Sequence, residues 1–336
     1  MLTRLALVAV AGMLVAPRAG LASPPVRAAE RTRPLAGDVA LAVEPEAGSP
    51  TAFVFRLTNR GAQPLQIFEH RGLLSLELRP EGRGRPVRCA APPGFAPSEV
   101  DPALVSTLEP GRSYTERIDI RYFCWGRRAD ELRGKGARLS GSYGFRGRVA
   151  GSRRWIAQSP DGKARLLAVS TPEAVTLAPV PGSPAPAPVG PLALELEPPR
   201  VQSVDGRHVA VSARLENRGS LPLRFYAHPE LFRFDVERGG EVVRCSLPRL
   251  ERAPLRHSFV LVDPGRAVQR SLDLADYCPR GTFSNPGIYD VSAVFEATHA
   301  GEAWRLGAFE GLAPSSSVAV RISVGDLPAY VPEVPR

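Results

Sequence analysis

The sequence has very little lysine and none of the short motifs by which common enzyme classes are recognised. Lys135 and Lys163 are its only lysines among 43 basic residues. No HExxH pair occurs, which excludes a zincin-type metal site, and there is no GxSxG elbow. No P-loop occurs either, since Gly134-Lys135-Gly136 lacks the following serine or threonine and is interpreted as a turn. We therefore expect a protein that is not an enzyme and holds no metal or cofactor.

One catalytic possibility stays open from the sequence. A Ser–His–Asp triad need only meet in space, so no spacing rule excludes an undetected hydrolase. Of the five histidines, His70 and His228 align approximately between the two halves of the chain. We interpret this pair as hydrogen-bonding groups at the start of a surface loop, with a ligand role as the alternative.

The charge is strongly positive but shows no nucleic-acid pattern. The formal net charge is +9 and almost all of it comes from arginine. The densest stretches are 83–88 and 146–154, and neither has the interleaved aromatic residues that bind single strands. The sequence therefore argues against nucleic acid as a partner. Two interpretations remain, a solvated surface or adhesion to an anionic polysaccharide, lipid headgroups or acidic proteins.

The N-terminus resembles a secretory signal. Arg4 is followed by an apolar stretch from Leu5 to Ala16 and by small residues up to Ala22, the charged, apolar and small-residue order of a signal peptide. We predict a signal peptide over 1–22 and export to the periplasm or the extracellular space. The apolar stretch is too short to span a bilayer, so no transmembrane anchor is expected in the mature chain.

The chain contains two copies of one segment. Residues 53–64 read FVFRLTNRGAQP and residues 211–222 read VSARLENRGSLP. The separation of matching positions changes by only a few residues along the chain, and we expect those differences in surface turns, where length is tolerated. Turn positions are predicted at Asn59, Gly61, Pro110 and Gly111 in the first copy and at Asn217, Gly219, Pro264 and Gly265 in the second.

Apolar and polar residues alternate in both copies, which indicates half-buried strands. Many short strands separated by turns predict an all-β fold of two tandem immunoglobulin-like β-sandwiches. A Pro/Ala-rich linker should hold the sandwiches apart as separate beads, and helix is expected only as a short turn over Arg127–Arg133. The predicted segments are a basic leader over 23–36, domain 1 over 37–176, the linker over 177–191, domain 2 over 192–325 and a tail over 326–336.

The four cysteines fall two per copy. Cys89 and Cys124 are 35 positions apart, and Cys245 and Cys278 are 33 apart. A domain that is copied whole must satisfy its thiols within itself, so we predict the disulfides Cys89–Cys124 and Cys245–Cys278. A metal or redox site would need clustered ligands such as CxxC, which are absent. Aromatic residues beside the cysteines, such as Tyr122, Trp125 and Tyr277, are expected to pack in the core.

The segments LENRGSLPL, FVLVDPGR and DLADYCPRGTFSNPGIYDVSAVF within 192–297, with LTNRGAQPL, TLEPGRSYTERIDI and GSYGFRG in the first copy, resemble a known domain. They are similar to the non-catalytic β-sandwich that precedes the protease domain in deuterolysin-like and lysine-specific zinc metalloendopeptidases. The zinc-binding HExxH helix of that family is missing, so no catalytic residue carries over. The resemblance implies an accessory sandwich that recognises, shields or inhibits a protease. Small proteinase inhibitors with an immunoglobulin-like fold share the NxGxxP pattern.

Two functions follow as hypotheses. The first is an exported, non-enzymatic binding or structural protein, expected to be a monomer, whose partner is a protein or an envelope polymer. The second is a protease-associated inhibitor or accessory protein that acts through the loop 90–107, which proline residues pre-order. The counterpart loop, 246–258, is shorter. The alternative interpretation of the loop is an ordinary crossover between sheets.

Overall fold

The fold is all-β. A computed structural model describes residues 38–97, 101–146, 155–156, 169–171, 173–180, 190–249 and 254–324. Several predicted features lie outside these residues: the signal peptide (1–22), the leader (23–36), the middle of the linker (181–189), the tail (326–336) and most of the arginine-rich stretch 146–154. Among the described helices, none is long and apolar enough to cross a membrane.

The first half of the chain forms twelve short strands and two helices among its described residues. The strands are β1 (Val39–Pro45), β2 (Ala52–Asn59), β3 (Leu65–Phe68), β4 (Leu74–Pro80), β5 (Val87–Ala90), β6 (Val105–Leu108), β7 (Ser113–Asp119), β8 (Ala137–Tyr143), β9 (Phe145–Arg146), β10 (Trp155–Ile156), β11 (Val169–Ser170) and β12 (Val175–Leu177). Helices α1 (Ile120–Phe123) and α2 (Arg127–Lys135) lie between β7 and β8. Helix α2 is nine residues long and thus extends beyond the turn predicted there.

The second half repeats this order with one helix among its described residues. Its strands are β13 (Leu192–Glu197), β14 (Arg200–Ser203), β15 (Ala210–Asn217), β16 (Leu223–Tyr226), β17 (Phe232–Arg238), β18 (Glu241–Ser246), β19 (Phe259–Val262), β20 (Ala267–Asp273), β21 (Gly287–Ala297), β22 (Gly311–Pro314) and β23 (Val318–Ile322). Helix α3 (Leu274–Tyr277) follows β20.

Each half has a three-stranded sheet, a two-stranded pair and a larger sheet, and the first half has in addition the short pair β9-β10. In the first half, a three-stranded sheet (β1-β2-β7) and a pair (β3-β6) accompany a larger sheet of order β11-β8-β4-β5, with β12 also paired to β8. In the second half, β13-β15-β20 and β16-β19 accompany a sheet of order β14-β23-β21-β17-β18, with β22 paired to β21. Strand β14 runs parallel to β23 and has no counterpart among the described strands of the first half.

The apolar cores form because alternate residues of these strands point inward. In β2, Phe53, Phe55 and Leu57 are buried while Arg56 is exposed, which is the period of two that the sequence predicted. The buried apolar residues form two clusters, one for each sandwich. Ile288 of β21 is an exception, because it belongs to the cluster of the first sandwich.

The turns after β2 and β15 are held by a buried asparagine side chain. Asn217 Nδ2 donates to the carbonyls of Leu221 and Val262, both at 2.8 Å, and its Oδ1 accepts from the N–H of Gly219 at 2.9 Å. Asn59 makes the equivalent three bonds. Asparagine is common in turns because it tolerates a left-handed backbone conformation, but neither asparagine adopts one here. The only described non-glycine residue with positive φ is Arg305, so the asparagine acts through its side chain.

The glycines in these turns are needed for space. A Cβ added at Gly219 would lie 3.1 Å from Asn217 Oδ1 and 3.0 Å from Cβ of Pro191. The Pro-Gly turns at 110–111 and 264–265 differ, since Gly111 and Gly265 have φ values of 75° and 72°. These are left-handed conformations, which glycine adopts without steric cost.

Both disulfides connect an edge strand to the segment after the three-stranded sheet. Cys89 on β5 is bonded to Cys124, and Cys245 on β18 is bonded to Cys278, which is the predicted pairing. Each second cysteine directly follows a four-residue helix, α1 or α3. The disulfide therefore fixes that helix against the larger sheet.

Candidate functional site

Contacts between the two sandwiches form a polar site of several ion pairs and hydrogen bonds among the described residues. Both sandwiches belong to one compact unit, and the contacts below correct the expectation of separate beads. The reason is that the end of β7, with α1, Trp125 and α2, supplies side chains that reach the outer face of β14, β21 and β23. We call this contact the sandwich interface.

Arg121, in α1, forms an ion pair with Asp290 across the sandwich interface. Its Nη1 and Nη2 donate to the two carboxylate oxygens of Asp290 on β21, at 2.7 and 2.8 Å. Asp119 accepts from the backbone N–H of Arg121 at 2.8 Å and from its Nε at 3.1 Å. Burial alone lowers the pKa of Arg121, but the hydrogen bonds to Asp290 and Asp119 outweigh burial and raise it. The guanidinium is thus a permanent cation between carboxylates of both sandwiches.

Tyr122 and Trp125 add a second group of contacts around Arg321 of β23. The Tyr122 hydroxyl donates to the Ser323 carbonyl at 2.6 Å, and Arg321 Nη1 donates to the Tyr122 carbonyl at 3.1 Å. The Arg321 guanidinium carbon lies 4.8 Å from the centre of the Trp125 ring, a cation–π distance. Burial raises the pKa of Tyr122 and lowers that of Arg321 to about 10, so both stay protonated at neutral pH. Tyr122 is buried in the apolar cluster of the first sandwich and Trp125 packs against that cluster, as predicted, and both also contact the second sandwich.

Length differences between the copies also lie at the interface. In the first copy, the first residue of β1 and the buried Asn59 are 59 − 39 = 20 positions apart. In the second copy, the first residue of β13 and the buried Asn217 are 217 − 192 = 25 positions apart. The additional residues of the second copy include β14. In the first copy, α2 occupies the region after the disulfide where the second copy has turns.

These two regions contact each other. Asp130 of α2 accepts hydrogen bonds from Arg200 of β14 and from Arg133 of its own helix. We had expected the length differences to lie in surface turns, and here that expectation is wrong. An insertion in each sandwich instead extends the interface.

Residues of the interface are not shared by the two copies. The cysteines that follow α1 and α3 differ by 278 − 124 = 154 positions, and with this offset Ala275, Asp276 and Pro279 stand where the first copy has Arg121, Tyr122 and Trp125. This divergence is a signal that sequence reasoning missed. At these three positions only the first copy carries the side chains that form the interface.

The two aligned histidines have the same structural role. His70 Nδ1 accepts from the N–H of Gly72 at 3.0 Å and His228 Nδ1 faces the N–H of Glu230 at 3.5 Å, each at the start of a 3-10 turn. His228 also stacks on Tyr226 with an interplanar angle of 4°. Burial, with a smaller effect of Arg71, lowers the pKa of His70 to about 4. His70 is therefore a neutral capping group, half-buried where we had expected a surface residue.

The loop 90–107 is anchored at both of its described ends. Phe95 is buried, with its ring centre 5.1 Å from that of Tyr122 and 5.7 Å from that of His70. Asp101 caps the 3-10 turn Pro102–Leu104 by accepting from the N–H of Ala103 at 2.9 Å. Residues 98–100 lie outside the described part of the chain. The described ends therefore belong to the sandwich and lead into β6.

Little in the described residues resembles a metal or ligand site. No group of three or more histidine, cysteine, aspartate or glutamate side chains among them is placed to hold a metal ion. A cavity of about 10 Å³ lies beside Val39 and Tyr143, which is room for about one water molecule.

Comparisons with known proteins add little. No protein-family model and no curated protein matches the chain. Similar solved structures include the red sea bream transglutaminase, with 10% identity, 84% of this chain and 31% of that chain covered and a TM-score of 0.21. A Bacteroides uniformis beta-glucuronidase has 11% identity, coverage of 81% and 26% and a TM-score of 0.19. The chain spans less than a third of either protein, and such low TM-scores support no functional argument.

Proposed function

We propose that this is an exported, non-enzymatic binding protein in which two β-sandwiches form one rigid unit that presents its surfaces to a partner protein. The observation that carries the proposal is the bidentate pairing of Arg121 with Asp290 across the sandwich interface. An ion pair of this geometry sets the orientation of two rigid bodies. Rigid orientation lowers the entropy lost when both bodies contact one partner.

Two further observations support the proposal. The disulfides Cys89–Cys124 and Cys245–Cys278 are typical of proteins that fold in an oxidising compartment, which supports export. The segments that carry the sequence resemblance to a non-catalytic accessory sandwich are turn and core positions, so they support the sandwich fold, and the non-catalytic nature of that domain favours a binding role. Immunoglobulin-like sandwiches commonly present loops and strand edges for recognition.

A capture experiment tests this function. The mature protein would be immobilised and exposed to the exported fraction of the producing organism, beside the variant Asp290→Arg, in which the ion pair with Arg121 becomes a repulsion. We expect one protein to be retained by the mature protein and its retention to fall at least tenfold with the variant. Equal retention by both would contradict the rigid unit, and retention of envelope polymer alone would contradict a protein partner.

The same experiment addresses the inhibitor hypothesis. If the retained protein is a peptidase, its activity would be titrated with the mature protein and with a variant in which exposed residues of the loop 90–107 are replaced. Loss of peptidase activity that depends on this loop would favour inhibition over the proposed scaffold. Retention without loss of activity would favour the scaffold.

A further inference from the structure

The outer face of the larger sheet in the first sandwich carries a group of arginines. Arg79 on β4, Arg88 on β5 and Arg138 on β8 are exposed there, and we call these three residues the basic face. Arg79 Nε lies 2.5 Å from Glu77 Oε1, and Arg88 Nε lies 3.7 Å from Glu77 Oε2. A single carboxylate therefore serves two of the arginines.

Two members of the basic face oppose each other directly. Arg79 pairs with Arg138 in the antiparallel register of β4 and β8, and the neighbour of Arg138 on its other side is Thr176 of β12. Like charges at directly opposite positions destabilise a sheet. The fold gains nothing from this pair, which is a reason to assign it a role in binding.

The second sandwich shows how this face is used. Arg79 lies five positions after the start of β4, and Glu237 lies five positions after the start of β17. Glu237 is directly opposite Asp290 in the register of β17 and β21, so the equivalent pair there is acidic. Asp290 is bound by Arg121 of the first sandwich. Within this molecule, a like-charged pair on this face thus receives a group of opposite charge.

Neighbouring residues extend the positive charge of the basic face. Arg83 and Arg85, in the turn between β4 and β5, are exposed. They lead into β5, an edge strand that pairs only with β4 among the described strands. Charged side chains at a sheet edge also oppose edge-to-edge aggregation. That role explains charge at the edge, but it does not explain Arg138, which lies on an interior strand.

We propose that the basic face binds a carboxylate-rich segment of a partner protein. The planar guanidinium forms two parallel bonds with a carboxylate, as Arg121 and Asp290 do in this molecule. The residues that neighbour the arginines in the strand register are Glu77, Ser140 and Thr176, none of which offers the aromatic surface on which nucleic-acid bases stack. This inference rests on the proposed binding function and names the chemistry of the partner.

Binding of a fluorescent peptide of ten glutamates to the full mature chain tests the inference. We expect the double variant Arg79→Ser/Arg138→Ser to raise the Kd at least tenfold at low salt. The matched control, Arg256→Ser/Arg280→Ser, removes the same charge from exposed positions of the second sandwich and should change the Kd less than threefold. The basic-face variant should keep a Tm close to that of the parent, because it removes the opposed arginines together with the exposed ion pair of Arg79 with Glu77.

Three outcomes would overturn the inference. One is an equal loss of affinity in both variants, which indicates attraction by net charge alone. The others are stronger face-dependent binding of dextran sulfate or of phosphatidylglycerol vesicles than of the peptide, which would make the occupant a polysaccharide or a membrane. The peptide assay uses purified protein, so its failure is distinguishable from a failure to capture any partner from the exported fraction.

Discussion

At the scale of single residues, Asn59 and Asn217 show why two short sequence motifs match so closely. Each side chain is fully buried and hydrogen-bonds three backbone groups, two in or beside the turn and one on a neighbouring strand. Buried backbone groups that lose their partner cost free energy, so the residue is tightly constrained. Asparagine is suitable because it carries both a donor and an acceptor on a short side chain.

Replacing one of these asparagines should weaken its sandwich. Asn217→Ala leaves the carbonyls of Leu221 and Val262 and the N–H of Gly219 without their partner, so we expect the free energy of unfolding to fall by about 2 to 4 kcal/mol. Urea denaturation followed by tryptophan fluorescence measures the change. Gln66→Ala, at an exposed position of β3, is the control. A loss below about 0.5 kcal/mol for Asn217→Ala would lie within the range of ordinary surface substitutions and would contradict the stabilising role of the asparagine side chain.

At the scale of elements, the short helices α1 and α3 occupy equivalent positions in the two sandwiches but make different contacts. Both follow the last strand of the three-stranded sheet, both are capped by an aspartate and both end at a disulfide cysteine. Only α1 carries side chains that reach the other sandwich. The disulfide of the first sandwich therefore positions an interface, while that of the second fastens an edge strand.

Variants that lack one disulfide or the other distinguish these two roles. Either double variant, Cys89→Ser/Cys124→Ser or Cys245→Ser/Cys278→Ser, should lose about 3 to 4 kcal/mol of stability, since loops of similar length are opened. Only the first should also loosen the sandwich interface, because α1 carries Arg121. Thermal unfolding measures the stability and small-angle X-ray scattering measures the separation of the sandwiches. Equal scattering from both variants would contradict the special role of α1.

At the scale of the whole molecule, the two sandwiches contact each other through charges and rings from distant parts of the sequence. Arg121 and Asp290 are 169 positions apart, and Tyr122 and Ser323 are 201 apart. Ion pairs that are partly shielded from water are stronger than exposed ones, and breaking one by removing a single partner leaves the other charge uncompensated. The interface therefore depends on complementary positions in both halves.

Charge reversal at the interface should separate the sandwiches. Asp290→Arg places a second guanidinium against Arg121, so we expect a larger maximum dimension in small-angle X-ray scattering and two thermal transitions in place of one. Asp235→Arg is the matched control, because Asp235 lies exposed on the same sheet and makes only a 3.8 Å contact with Arg244. An unchanged scattering profile for Asp290→Arg would show that the ion pair does not hold the sandwiches together.

Parts of this arrangement could be predicted from the sequence because they depend on local patterns. The alternation of apolar residues such as Phe53 and Phe55 with polar ones predicts a strand with one buried face. The cysteine pairing could be predicted from the duplication alone, without knowledge of the distances between the cysteines. The hydrogen-bonding role of His70 was predicted from its alignment with His228, but its burial could not be predicted in this way. Whether its ring caps a turn or contacts solvent depends on what packs over it, and here Phe68 and Phe95 do so.

The sequence by itself determined that two similar β-rich units follow one another, where their strands alternate and which cysteines pair, because each of these features is repeated within the chain and can be compared with its copy. Only the tertiary structure decided that Arg121 meets Asp290 and that Arg79 opposes Arg138. Such pairings depend on strand register and on the orientation of one sandwich against the other. No local spacing encodes them, because the paired residues come from strands that only the folded chain brings together.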